Sequence, residues 1–449
     1  MIDFNTFKTD VEKIASQLNI ADYEIYYNES EDNSIDVYEG EIEKLSSNLS
    51  AGASFRCIIN GKSAQSYTER FSKEDARILV EKAKDAALHI ESEDEESIYE
   101  GSSNYAALPE CPENASVKQL KDKALALEQE TFQADGHISA ISTCNVSQSK
   151  GRTCIANSKG LFLERENQLV ILQSEPVMEK NGEKCGEYAF DIKASLYETS
   201  CKNCAKQAAE RCRQGIGGEK IPSGIYPVVM KGSQAATLLS VFSNIFSSEA
   251  AQKGFSLLKG KEETVIAADC VTLVDDPFMV QSPVKISFDD EGVSTYKKNV
   301  IEKGILKTLL YNLKTAAKQG CNTTGNAIRS SYKGKISIAP SNFYIVPNSK
   351  LRRKDLMRDI SNGIYLTDLK GLHAGCDSIS GDFSLECRAT KIIDGKLANN
   401  VKSVTVSGNF YQLLKDIEAI DDQLEFCLCA GPMYAAPNLK IKGLSFASE

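Results

Sequence analysis

The stretch from Gly375 to Ile417, GCDSISGDFSLECRATKIIDGKLANNVKSVTVSGNFYQLLKDI, limits what this chain can fold into more than any other. Asp394-Gly395 stands between Ile392-Ile393 and Leu397. An Asp-Gly pair between apolar residues is a strong hairpin signal, because both turn positions need positive φ. The spacing predicts a strand on either side. Val404 and Val406 then lead into the polar stop Ser407-Gly408-Asn409, after which Leu413, Leu414 and Ile417 open an amphipathic helix. A core hairpin delivering a helix beside Gly381-Asp382-Phe383-Ser384 is a framework that the rest of the chain must cover.

The same turn chemistry recurs upstream. Glu39-Gly40, Asn60-Gly61 and Lys159-Gly160 each separate two strand-like runs. Between them lie helices. Phe7, Val11, Ile14 and Leu18 mark the first, Ser72 with Asp75 three residues later opens a second, and a third runs from Ser116 to Gln133. A fourth covers Cys201–Arg213. So many hairpins argue against an all-parallel doubly wound sheet. The expected class is α+β, with two domains of mixed, largely antiparallel sheet and packed helices. At roughly 150 residues per domain, 449 residues suit two or three. The Gly-rich segment from Gly215 to Gly224 places the boundary, giving an N-terminal α+β domain over 1–217 and a β-rich domain over 218–449.

Charge excludes some functions. A net charge of −10 with no cluster of Lys and Arg speaks against a nucleic-acid binder. No apolar run approaches the ~18 residues of a membrane span, and the acidic, periodic start lacks the apolar core of a signal peptide. The expected location is the cytoplasm, with the fourteen cysteines reduced. Cys201-x2-Cys204 and Cys427-x-Cys429 could together hold a metal, but Cys201, Cys204 and Cys212 fall on a helical pattern and read as core.

No catalytic centre is visible from the residues alone. The histidines are three, His89, His137 and His373, and none belongs to an HExxH helix. His373 with Cys376 or Asp377 is the one loop that could carry an alternative centre. Asp275-Asp276 and Asp289-Asp290-Glu291 could act as acid and base, though their Pro and Gly neighbours make turn chemistry the simpler role.

The motifs themselves resemble the TldD/PmbA family: DDP at Asp275–Pro277, FDDEGV at Phe288–Val293, IEKGILKTLLYN, SGDFSL at Ser380–Leu385, then IIDGKL and VSGNF, in that order. The resemblance runs from about Tyr23 to Phe446. It implies a cytoplasmic, two-component zinc metallopeptidase that processes peptides, known also as a modulator of DNA gyrase. One subunit, TldD-like, carries zinc on an HExxxH helix; the other, PmbA- or TldE-like, does not. Laid on that helix, SQAATLLSVFSNIFSS at Ser233–Ser248 puts Ser240, Val241 and Ile245 at the positions of the two His and the Glu. Ser and Ile offer no imidazole nitrogen, and Val cannot serve as a base. The resemblance therefore implies a non-catalytic subunit that binds no metal itself and has a zinc-bearing TldD-like partner; alone, a surface built for a similar subunit could be satisfied by a second copy, a possible homodimer. By family position, Asp289, Asp290, Glu291, Asp382 and Phe383 would line the chamber for the peptide. Cys427 and Cys429 correspond to a region where the zinc subunit supplies a Cys, and read here as core. A stand-alone peptidase and a homodimeric peptide-binding protein are the alternatives.

Overall fold

The computed structural model describes residues 4–91, 96–427 and 432–448, with the Ser403 side chain left aside. Its first seven strands make one sheet. They are β1 (Asp22–Tyr38), β2 (Glu41–Ile59), β3 (Lys62–Thr68), β4 (Ile138–Asn157), β5 (Phe162–Lys180), β6 (Glu183–Gly186) and β7 (Ala189–Lys193). The order is β3-β2-β1-β4-β5-β6, with β7 also on β5, and every pairing is antiparallel. The expected turns are all there. Glu39 and Gly40 take φ of 50° and 78°, and Asn60 and Gly61 take 54° and 76°. At Lys159-Gly160 the Asn157 carboxamide accepts the amides of Lys159 and Leu161, closing the turn without a bulge.

Four helices lie against one face of this sheet: α1 (Phe4–Gln17), α2 (Lys73–His89), α3 (Val117–Gln133) and α4 (Cys201–Gly215). Ser72 and Ser116 start α2 and α3 with complete capping boxes, to Asp75 and Gln119. Two apolar clusters result. One joins α1 and α2 to β1 and β2 through Phe7, Val11, Leu79, Ile25 and Phe55; the other joins α3 and α4 to β4 and β5 through Leu120, Leu127, Cys204, Val146 and Leu172.

Beyond residue 223 the described chain builds two six-stranded sheets and a two-stranded one, with a large core and a smaller apolar cluster around Val229, Tyr365 and Ile392. In one, β8 (Gly224–Met230) lies between Asn362–Lys370, to which it is parallel, and Leu439–Ser448. The hairpin Asp382–Ile393 with Lys396–Asn409 extends the order, and Lys396–Asn409 pairs back onto Leu439–Ser448, so five strands close on themselves. The second sheet runs Ile305–Leu306, Lys298–Glu302, Leu273–Asp275, Asn342–Ile345, Met433–Ala436, Glu425–Phe426. The described strands thus pair antiparallel except at two places, and the α+β expectation holds.

Two boundaries differ from expectation. Helix after the Asp394-Gly395 hairpin occupies only Phe410–Lys415; Ile417 opens a strand that pairs with Leu439–Ser448. Asn409 caps that turn of helix, and the partner strand claims Ile417 before a second turn can form. The segment Ser233–Ser248 is likewise not one helix. Helix α5 covers Gly232–Phe242, a 3-10 turn takes Ser243–Phe246, and Ser247 caps a new short helix at Ser248–Gln252. The serines explain the break: Ser240 Oγ and Ser243 Oγ bond back to Thr237 O and Ser240 O, at 2.8 and 2.9 Å, competing with helix propagation.

Candidate functional site

Helix α5 sits between the closed sheet and the second sheet. Leu238, Leu239 and Phe242 are buried, and Phe242 stacks on Phe410 at 4.7 Å between centroids and tilts against Phe383 at 6.5 Å. Its remaining face, with Thr237, Ser240 and Val241, is half-buried. Ile245 is buried in the 3-10 turn, so the three positions that the resemblance lays on a zinc helix do not share one surface. A shallow cavity of about 50 Å³ lies alongside, lined by Ser243, Asn244, Ser247, Leu310, Ile338, Ala339 and Pro340. Tyr434 donates its hydroxyl to Ser243 Oγ at 3.0 Å. Hydroxyls, one amide and aliphatic groups make up this face; it has neither a soft donor set for zinc nor a base.

The acidic run is buried, not open to a chamber. Asp289 Oδ1 accepts the amides of Glu291 and Val293, both at 3.0 Å, and Oδ2 that of Ala327 at 3.0 Å. Asp290 takes Arg165 at 2.7 Å and the Arg329 amide at 2.7 Å. Glu291 accepts the Leu313 amide at 2.8 Å. Burial raises the carboxyl of Asp289 well above its ordinary range, with the Glu291 charge adding to it; burial also raises Glu291 to about 7 against the pull of Arg56. Arg329 in turn pairs with Glu24 on β1, and Glu24 with Arg56 on β2 at 3.4 Å. The FDDEGV turn is therefore a buried ionic joint between the N-terminal sheet and the second half of the chain.

Asp275 belongs to a second buried knot. Lys298 Nζ and Asn326 Nδ2 reach its Oδ2 at 2.9 and 2.7 Å, while the Ser341 amide and hydroxyl reach Oδ1 at 2.7 and 2.6 Å. It ties the second sheet to the Asn326 loop. Of the remaining candidates, Phe383 is core, and Asp382 is exposed and bonded to Asn409 Nδ2 at 2.8 Å. His373 is exposed. Asp377 Oδ1 is taken by the amides of Ile379 and Ser380, which lowers its carboxyl, and burial raises the Cys376 thiol. A nucleophile needs the opposite shift. Cys427 is buried, whereas Cys429 lies outside the described residues. Among the described residues no group of three or more His, Cys, Asp or Glu is placed to hold a metal ion, and no helix is long and apolar enough to cross a membrane.

Comparison with known proteins matches three consecutive family descriptions: PmbA/TldA metallopeptidase domain 1 over residues 23–87, the central domain over 110–214 and the C-terminal domain over 223–448. The chain belongs to the PmbA/TldD metallopeptidase family. A metalloprotease of Methanocaldococcus jannaschii is 26% identical over 432 residues, 93% of each chain. A solved structure from Thermotoga maritima, described as a candidate modulator of a DNA gyrase, is 26% identical and superposes with a TM-score of 0.88 over 99% of this chain and 100% of that one. TldE from Thermococcus kodakarensis shares the fold at 23% identity, TM-score 0.87, over 99% of both chains.

Family membership brings zinc into question, and the α5 face does not fit it. Ser240, Val241 and Ile245 offer neither an imidazole nitrogen nor a carboxylate to a metal ion. The two ionic joints were not legible as joints in the sequence of this PmbA/TldD-family chain. Asp289–Glu291 resembles any acidic turn until Arg165, 125 residues before Asp290, and Arg329, 39 residues after it, are folded onto it. A basic residue inside an otherwise strand-like run, as at Arg56 and Arg165, is the signal that could have pointed to them.

Proposed function

We propose that this chain is the PmbA- or TldE-like, non-catalytic subunit of a two-component zinc peptidase that works on peptides in the cytoplasm. One observation carries the reading: family resemblance spans the chain, while the α5 segment offers Ser240, Val241 and a buried Ile245 where a zinc-bearing relative needs imidazole and carboxylate. The reading assigns zinc, and the water it activates, to a TldD-like partner. This chain's share is shape. Exposed Asp382 offers a charge at the rim for the bound peptide, and the buried Asp289, Asp290, Glu291 and Phe383 hold the segments that would face it. Alone, the chain can satisfy the same surface with a second copy.

Mixing the purified chain with a zinc-loaded TldD-like subunit should give a stable complex that cleaves an unstructured peptide, with each chain inactive by itself. Cleavage by the partner at the same rate without this chain would sink the proposal. So would chelator-resistant cleavage by this chain alone.

A further inference from the structure

Cys185 and Cys212 meet where the N-terminal sheet faces the closed sheet. Cys185 lies on the four-residue edge strand β6 and points inward, 5% exposed. Cys212 is fully buried on the last turn of α4, its Sγ 3.3 Å from Pro176 O and 4.0 Å from Glu187 O. One helical step on, Gly215 passes so close that an added Cβ would stand 2.3 Å from Cys185 Sγ and 2.7 Å from an Arg388 guanidinium nitrogen. Gly215 is thus the residue that lets the Cys185 sulfur reach the helix end. Cys185 and Cys212 lie close enough to interact side chain to side chain, while the Cys212 thiol has the Pro176 carbonyl as its acceptor. Two cations flank the pair, Arg388 and Lys370, which share the Glu187 carboxylate at 2.5 and 3.0 Å.

We propose that Cys185 and Cys212 are a dithiol modification site, closed to a disulfide by small hydroperoxides and reopened by thiols. The roles are unequal. Contact with Cys212 and the Arg388 guanidinium beside Gly215 favour a thiolate on Cys185, lowering it to about 7, while the same contact and burial hold Cys212 protonated. The Cys185 thiolate attacks the terminal oxygen of ROOH: an S–O bond forms, the O–O bond breaks, and RO⁻ leaves and is protonated to ROH. Cys212 then attacks the Cys185 sulfenic acid. The S–S bond forms as the S–O bond breaks, and the departing hydroxide takes the Cys212 proton to become water. Two electrons pass from the thiols to the peroxide. Access needs only a local opening of β6, which is hydrogen-bonded to a neighbouring strand on one side, at Val177–Lys180. The bond would fasten β6 to the end of α4, just before Gly217-Gly218 lead the chain into its second half.

The test is treatment of the full chain with one equivalent of tert-butyl hydroperoxide, followed by alkylation and peptide mapping of all fourteen cysteines. The expected product is a Cys185–Cys212 linked peptide ahead of any other, lost on adding a thiol reductant. Cys212→Ser should instead leave Cys185 as a sulfenic acid that dimedone captures. Arg388→Gln, a change outside both thiols, should slow iodoacetamide labelling of Cys185 at pH 7 by about fivefold, as a rise of one pKa unit from about 7 would. The proposal is overturned if another pair links first, or if Cys185 in the folded chain is alkylated no faster than buried Cys57 and Cys387.

Discussion

Glu291 illustrates how one carboxyl can be set by what folds over it. Its sequence neighbours suggest a solvated turn, yet it is buried beside Asp289 and within the field of Arg56, Glu24 and Arg329. Burial lifts its pKa from an ordinary 4.5 to about 7, so the folded state holds a proton that the unfolded chain releases. A raised folded pKa contributes stability in full below the unfolded value and loses it as pH rises through the folded one. The melting temperature should therefore fall between about pH 4.5 and 7 from this group. Glu291→Gln should flatten that part of the profile, read by calorimetry on both proteins across the window. An unchanged slope in the variant would place the titration elsewhere. Asp275 makes a different point. It is wholly buried with Lys298, and Asp275→Ala would strand that cation, at a cost of about 3–5 kcal/mol in urea unfolding. A loss below about 1 kcal/mol would mean that Lys298 finds water or another partner.

Among the elements, α5 and its continuation carry the functional argument. The helix stops at Phe242 because serine hydroxyls bond back to the chain and Ser247 starts a new turn, which sends Ile245 into the core. Restoring the family's donors by Ser240→His, Val241→Glu and Ile245→His together should consequently fail to create a tight zinc site. The last of these buries an imidazole among Phe246, Leu239 and their neighbours, and the triple variant should lose about 2–5 kcal/mol of stability. Isothermal titration with zinc, alongside denaturant unfolding, checks both halves. Micromolar or tighter zinc binding with full stability would show that the break in the helix is no obstacle.

Across the whole molecule, the two halves meet through buried ion pairs as well as apolar contacts. An apolar cluster of Tyr26, Ile155 and Phe288, with Tyr105, Leu163 and Tyr332 packed on it, joins them, and ion pairs recur along the seam: Arg329 with Glu24, Arg165 with Asp290, Lys370 and Arg388 with Glu187. Arg329 also lies over the Tyr26 ring at 4.8 Å. Arg329→Met removes the cation while keeping much of the bulk, leaving Glu24 buried with Arg56 alone. The variant should raise hydrogen exchange at β1 and at the 288–293 turn together, and lower stability by about 3–5 kcal/mol. Faster exchange confined to one side would mean the halves are coupled by other contacts.

The hairpins, the capped helices α2 and α3, the α+β class and the family were all legible in the chain, because each depends on residues close together in sequence. Asp394-Gly395 turns where it does since Gly395 takes φ of +75°, and Ser72 caps α2 through a residue three positions away. The alignment of Ser240 and Val241 with a zinc helix rests on the resemblance instead, and local residues alone do not give it. What the sequence could not disclose was which side of each charge would meet another. Asp289–Glu291 and Asp275 are buried joints, not surface carboxylates, only because Arg329, Arg165 and Lys298 arrive from distant segments. The meeting of Cys185 with Cys212 also needed the sheet and helix to close. Local rules fix turns and caps, but burial and its consequences for charge are decided by long-range packing.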